Sequence, residues 1–524
     1  MTRHLPVLLA ALLALPALWG GLLMDDHWFL QTLQDPTKTP AMDLFVFYRA
    51  DTPVDAWTFG PDLQIAFWRP LAALSHQLDF ALSDSLALWH LHSWLWLLAA
   101  VGAAAALYRQ VSPGWTALLA GVLFAVEDAH AFPVAWLANR NALMCVTFGL
   151  VALKWHDQGK RHLALLPFAA ALLSAEAGLA AFAYFVAMEW RRPVRLLPHV
   201  ALIAVWRGLY VWLGYGAVGS TAYIDPLSAE FVVALVERLP VLLMVQYLHV
   251  PGELWGLSEA GVRQAVTGLG WLYMLGLVAL FLPLLKTDRV ARMWGLGMLL
   301  ALIPTCAVMP MDRVLVWVGV GAFGLLSRLP LVFADLSWMR RLKLAALLKL
   351  HASGAALLLP LRIVGAALLA NFIREPLLDV EFAEDDVVVF LTGNDLSSVY
   401  LTGWRASEGL PGPSRAIQLG SATFGGTFER TDERTLLLTT PPLMTKPMEN
   451  VTRNRPFEVG EVIRARDFET TILAVDGGPT RMRFVFDQPV EQYRVMAFDA
   501  GQRVDVTLEV GDSISFAPGV PGLE

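Results

Sequence analysis

Several charged residues interrupt apolar stretches of this chain at positions where they could do chemistry. In GLLMDDHWFLQ (21–31), Asp25 and Asp26 end an apolar run that begins at Leu5, and His27 follows at once. A carboxylate at such a boundary becomes a useful general base when partial burial raises its pKa, or when geometry sets it on a substrate hydroxyl. Adjacent acids also repel, which can lift one of the pair. A solvated helix end accounts for the same residues equally well.

LFAVEDAHAFPVAWLANRNALM (123–144) gathers Glu127, Asp128, His130 and Arg140. Its ED-x-H spacing offers a divalent metal some ligands but no complete set. Arg69 precedes Pro70 in AFWRPLAALSHQLDF (66–80), Glu176 sits in SAEAG (174–178), Arg207 in AVWRGLYVWLGYG (204–216) and Arg313 in MPMDRVLVW (309–317). A membrane arginine usually snorkels or pairs, yet its planar fork also suits a phosphate. Arg69 fits an exposed position on an interfacial helix as readily.

The elements that must position these groups are membrane helices. Of 524 residues, 56% are hydrophobic and only 16% charged, against about 25% charged in soluble domains. The 19 Trp and 27 Phe suit many membrane–water boundaries. Two cysteines, Cys145 and Cys306, lie in apolar stretches and make neither a disulfide framework nor a metal-ligand spacing. The run from Leu5 to Met24 lacks small residues before a cut, so it reads as an uncleaved spanning helix.

Residues 379–524 hold 23 acids and 13 bases, while the remainder holds 23 acids and 26 bases. The excess bases cluster at 108–110, 154–162, 189–195, 286–292 and 338–343. Short basic loops stay cytoplasmic. That rule predicts a polytopic α-helical membrane protein with about eleven transmembrane helices, at 5–24, 87–107, 115–127, 137–153, 163–175, 177–190, 196–213, 265–285, 293–309, 313–333 and 345–370. Segment 231–248 is left over, as an interfacial or re-entrant piece. The amino terminus is then inside, and DDH, EDAH and MDR all face the same outer side.

Near residue 375 the pattern changes. VVVFLTG (387–393), SVYLTGW (398–404), TLLLTT (435–440), TTILAV (470–475), MRFVFD (482–487), YRVMAF (493–498) and RVDVTLEV (503–510) read as strands. DGGP (476–479) marks a hairpin. The expected organisation is a transmembrane domain over 1–374 and an extracytoplasmic all-β sandwich or barrel over 375–524. Asn450-Val451-Thr452 matches a glycosylation acceptor, a tripeptide that often arises by chance.

These segments resemble the integral-membrane glycosyltransferases of the GT-C fold, in the branch of protein O-mannosyltransferase-like proteins that carry tetratricopeptide repeats, and their bacterial relatives. LLMDDHWFLQTLQDP is similar to the family's F-V-W-D-D-x-x-x-I-x-x-N-P. FWRPLAALSHQLDF with LWHLHSWLWLL resembles Y-R-P-L-x-x-L-S and F-H-L-x-N-x-L-L-H. LFAVEDAHAFPVAWLANRNALM resembles L-F-A-V-H-P-x-H-x-E-A-V-A-W-I-x-G-R-A-D-L-L. SAEAG and MDRVLVWVGVGAF are similar to S-K-E-x-G and A-E-R-Y-L-Y-L-P-S-I-G.

The resemblance runs from about residue 20 to 325 in the family's order, and it implies an inverting transfer of sugar from a polyprenyl-phosphate donor to a hydroxyl. Asp25 or Asp26 would then be the base, with Asp26 preferred; Glu127 and Asp128, which match no family acid, stand as further catalytic acids if the family's acid at position 132 has moved five positions along the same loop. Arg69, Arg140, Arg207 and Arg313 would hold the phosphate. Glu176 and His130 would contact substrate, His90 and His92 match family histidines, and Asp225 falls in an acid-bearing loop.

Departures are also plain. The family's Glu is Phe132 here, its His-Pro is Glu127-Asp128, and its Asp and Lys are Ala142 and Ala175. No 34-residue helical repeat follows residue 375. Together with the Ala/Leu-rich helices, the resemblance implies a bacterial inner membrane, with the carboxy-terminal domain periplasmic. The expected partners are the bilayer, the lipid-linked donor and a protein or glycan acceptor, with no nucleic acid. No cofactor is required, and a divalent metal stays open. A catalytically inactive protein whose β domain binds a glycan, and a transporter of lipid-linked sugars, are the other readings.

Overall fold

The computed structural model describes residues 2–35, 37, 40–49, 56–112, 114–335 and 337–520. Among these, six helices are long and apolar enough to cross a membrane: Leu86–Val111, Pro193–Trp212, Glu230–Leu248, Ala260–Thr287, Asp312–Val332 and Trp338–Leu377. Trp115–Ala125 and Asp128–Ala135, bent by 46° at their junction, make a seventh if they form one broken span. All eleven expected stretches contain helix, but length and apolarity support six or seven crossings. Helices such as Leu5–Leu13, Arg161–Ser174 and Leu179–Glu189 fall short of the ~20 residues a straight span needs. Segment 231–248, left unplaced from the sequence, is the helix Glu230–Leu248 and is among the six.

The first apolar run does not form one helix over 5–24. It is α-helical at Leu5–Leu13, tightens to a 3₁₀ turn at Leu15–Trp19, and is not helical from Gly20 to Met24. Pro16 has no N–H to continue the ladder, and Gly21 takes a left-handed φ of 70°. The Gly21 carbonyl accepts from His90 Nε2 at 2.8 Å, which holds the bend. Met24 has φ 41°, a conformation that costs a side-chain-bearing residue energy and that collects at functional sites. The acid pair therefore opens a new helix, Asp25–Gln34, instead of closing the first one.

Strands β1 (Val46–Tyr48), β2 (Gln64–Ala66) and β3 (Gly216–Val218) form a small antiparallel sheet in that order. The carboxy-terminal region holds β4 (Val387–Gly393), β5 (Arg415–Ser421), β6 (Gly426–Arg430), β7 (Thr435–Thr439), β8 (Val462–Arg464), β9 (Phe468–Val475), β10 (Pro479–Phe486), β11 (Arg494–Asp499), β12 (Gln502–Asp505) and β13 (Ser513–Phe516). An antiparallel sheet runs β13-β6-β7-β10-β9-β8, and a mixed sheet runs β12-β11-β4-β5. The expected hairpin at 476–479 joins β9 to β10, with Gly477 at φ 72°.

This region is not all-β. SVYLTGW, expected as a strand, lies in the helix Asp395–Ser407. The Asn394 side chain accepts from the Leu396 N–H and caps its start. Leu396, Tyr400 and Trp404 recur every four residues and face a core that includes Leu377, Phe382, Phe390 and Met496. Because this helix crosses between β4 and β5, those two strands pair in parallel, and β4 is also parallel to β11.

A second core, with Leu391, Leu419, Phe428, Phe468 and Phe484, lies between the two sheets. Trp57, from the connection between β1 and β2, inserts into it and donates Nε1–H to the Leu419 carbonyl at 3.0 Å. The segment holding the Asn450-Val451-Thr452 tripeptide packs on Thr221, whose Oγ1 donates to the Pro447 and Asn450 carbonyls at 2.8 and 2.7 Å. The Asn450 amide is tied to the carbonyls of Met444 and Lys446 at 2.5 and 3.0 Å. These contacts lock the sheets over the end of the helical region that carries Asp25.

Candidate active site

The two adjacent aspartates have different surroundings. Asp26 is buried, and backbone N–H groups fill both its oxygens: Leu23 at 3.0 Å and Leu137 at 3.2 Å donate to Oδ2, and Ala138 at 2.7 Å donates to Oδ1. It ties the Met24 bend to a segment 111 and 112 residues further along. Burial pushes its pKa up to about 8, and the three N–H donors work the other way. An Asn here would turn an amide NH₂ toward N–H donors. Asp26→Asn is therefore expected to lower unfolding stability by about 1–3 kcal/mol, read as a lower melting temperature in detergent.

Asp25 is half-buried. Its Oδ1 accepts from the Tyr400 hydroxyl at 2.5 Å, and no hydrogen bond to Oδ2 is found among the described residues. Burial raises its pKa, while the Tyr400 hydrogen bond, Arg313 and Arg69 pull the other way. His27 packs against Gly403 and pairs its Nδ1 with Ser407 Oγ at 3.1 Å. Burial pushes that imidazole down to about 4, so it is neutral at pH 7. The helix Asp395–Ser407 thus touches both Asp25 and His27.

The four arginines divide sharply. Arg140 is fully buried and saturated: it pairs with Asp79, donates to Ser93 Oγ at 2.9 Å and to the Trp89 carbonyl at 2.8 Å. Asp79 also holds His92 Nδ1 at 2.7 Å. Arg69 lies over the Phe67 and Phe45 rings at 4.3 and 5.1 Å and forms an ion pair with Glu176 at 2.7 Å. Glu176 also accepts from Tyr210 at 3.2 Å. Arg207 pairs with Asp225 at 3.3 Å, both half-exposed. Arg313 donates Nε–H to Met311 Sδ at 3.3 Å and covers the Trp136 ring at 4.9 Å. No carboxylate partner for it is found among the described residues.

Glu127 and Asp128 enter a different group. Asp128 Oδ1 meets His249 Nδ1 at 2.5 Å, and His249 Nε2 meets His351 Nδ1 at 2.9 Å. Gln246 donates to Glu127 Oε1 at 2.9 Å. Arg362 bridges Asp128, at 3.0 Å, and Asp312. Glu127, His249 and His351 are the residues that could hold a metal among those described. His130 is not with them: its Nε2 meets the Phe124 carbonyl at 2.7 Å.

Two groups emerge, Asp25 with Arg313 and Arg69 near it and Glu127 with Asp128, linked by the adjacent Asp312 and Arg313; Arg140, Arg207 and His130 have partners of their own outside both. Tyr400, His249, His351 and Arg362 were not anticipated. The recurrence of Leu396, Tyr400 and Trp404 is the signal that could have placed Tyr400 on a helix. Nothing local pairs His249 with His351, which are 102 residues apart.

No protein-family model and no curated protein matches the chain. Two solved structures of the Archaeoglobus fulgidus oligosaccharyltransferase are similar to it at 14% identity. One is tethered through a disulfide to an acceptor peptide containing the NVT sequon, with a TM-score of 0.39, and the other is the apo form, with a TM-score of 0.40. The matches cover 80% of this chain and 64% of those chains, so the chain spans less than two thirds of the length of the structures it matches.

Proposed function

We propose that the chain is an inverting glycosyltransferase that moves a sugar from a polyprenyl-phosphate donor to a hydroxyl at the outer face of a bacterial inner membrane. The acceptor is a protein Ser/Thr or another glycan or lipid hydroxyl. In this reading the amino terminus is cytoplasmic, the shorter apolar helices complete about eleven crossings, and the sheets are periplasmic. The observation that carries it is a half-buried carboxylate, Asp25, with one oxygen oriented by Tyr400 and the other without a hydrogen bond among the described residues, and Arg313 close enough to pull on its pKa and without a carboxylate partner among those residues.

Asp25 Oδ2 removes the acceptor proton, and the acceptor oxygen attacks the anomeric carbon. The bond from that carbon to the phosphate oxygen breaks, and polyprenyl phosphate leaves with the electron pair. Arg313 meets the negative charge that grows on the leaving phosphate. Arg69, already neutralised by Glu176, shapes the aromatic wall beside it. Asp26 serves by holding the bend that aims Asp25. A single displacement inverts the anomeric centre. Product from a donor of defined anomeric configuration should therefore carry the opposite configuration by NMR, and a retained one contradicts the mechanism.

Tyr400 tunes the base. A hydrogen bond to the ionised form favours it, so its loss raises the pKa of Asp25 further. The base works ionised, and transfer falls as pH drops through that pKa. Tyr400→Phe is expected to move the acid limb of the pH–rate profile upward by about one unit, leaving the high-pH plateau nearly unchanged. An unmoved limb would remove Tyr400 from the site.

A further inference from the structure

We propose that Glu127, His249 and His351 form a zinc site. It lies where the break before Asp128, the end of helix Glu230–Leu248 and the helical turn Leu350–Gly354 meet. One ligand atom from each residue lies within 4.8 Å of the others: a carboxylate oxygen and two imidazole nitrogens. His249 Nε2 and His351 Nδ1 are 2.9 Å apart, and His351 Nδ1 is 3.9 Å from Glu127 Oε2. These separations bracket the ligand–ligand edge of about 3.3 Å that tetrahedral zinc sets with bonds near 2 Å.

Hydrogen bonding does not account for the group. Among the described residues, Glu127 Oε2 and His351 Nε2 are both buried without a hydrogen-bond partner, in side chains 3% and 0% exposed. A cation among the three ligand atoms would satisfy Glu127 Oε2. The surrounding groups are those that orient metal ligands. His249 Nδ1 meets the Asp128 carboxylate at 2.5 Å, Gln246 fixes the other oxygen of Glu127 at 2.9 Å, and Arg362 holds Asp128 at 3.0 Å.

The backbone is distorted at both histidines. His249 has φ 57°, in the left-handed region, and His351 lies in a π-helical turn. π-turns concentrate at functional sites, and a left-handed non-glycine residue persists only where its surroundings enforce it. Here both aim an imidazole at one point. Two imidazoles and one carboxylate in a dry site suit Zn²⁺, whereas Mg²⁺ and Ca²⁺ take oxygen shells.

This inference is independent of the glycosyl-transfer reading, and its test reads metal content. Full-length protein in detergent is stripped with chelator, equilibrated with Zn²⁺, desalted and analysed by elemental mass spectrometry. About one zinc per chain is expected, together with the visible absorption of tetrahedral cobalt when Co²⁺ replaces it. His351→Gln and Glu127→Gln should lose the ion. Asp128→Asn keeps all three ligands and should weaken zinc about 10–100-fold, which decides the matter even where a ligand variant fails to fold. Wild type that retains no zinc, wild type that takes up Mg²⁺ but not Zn²⁺, or unchanged affinity in Asp128→Asn would overturn the proposal.

Discussion

Asp25→Asn lowers the turnover of sugar transfer by about 10²–10⁴-fold, the span that general-base catalysis supplies, and leaves accumulation and melting temperature near wild type. The reason is local. The Tyr400 hydroxyl, which donates to Asp25 at 2.5 Å, can donate to the amide oxygen of Asn just as well. The other carboxylate oxygen has no hydrogen bond among the described residues, so little structure is lost with the charge. Only the ability to take a proton disappears. The loss should fall on kcat, because an uncharged isostere still fills the same space against donor and acceptor. Asp26→Asn differs, since its three N–H donors make it a structural anchor. The melting temperature separates the two variants.

Arg313→Ala lowers turnover by about 10²–10³-fold, the effect of removing one group that meets charge in a transition state. Among the arginines raised by the sequence, three already have acids: Asp79 for Arg140, Glu176 for Arg69 and Asp225 for Arg207. Arg313 has a thioether and an indole face, neither of which neutralises it. Arg313→Lys should recover part of the rate, because it keeps the charge but loses the planar fork. Arg313 also pulls down the pKa of Asp25, so the variants must be compared on the high-pH plateau. Measured lower, the Ala variant would suffer twice, through the phosphate and through a base left protonated.

The helical half of the fold was legible because apolar runs are long and basic loops interrupt them. The number of crossings was not, since a run of 11 or 14 residues such as Leu179–Glu189 or Arg161–Ser174 is helix by pattern but short for a bilayer. SVYLTGW misled for a physical reason: β-branched and aromatic residues favour strands, yet a capped four-residue recurrence and tertiary burial made it helical. That error hid Tyr400, which reaches Asp25 across 375 positions. At the site, the acid pair stood out from its place after an apolar run. The difference between its members did not, because the donors to Asp26 come from Leu137 and Ala138. Glu127 was seen, but its histidines lie far along the chain, and the nearer His130 turns to the Phe124 carbonyl.

The most direct test is single-turnover transfer from a radiolabelled polyprenyl-phosphate sugar, with donor bound in advance to purified wild type, Asp25→Asn and Asp26→Asn in proteoliposomes. The expected result is rapid transfer by wild type, about 1% of that rate or less for Asp25→Asn despite full donor loading, and measurable transfer by the folded fraction of Asp26→Asn. Asp25→Asn transferring at the wild-type rate, or a wild type that binds donor and never transfers, would contradict the assignment of Asp25 as the base.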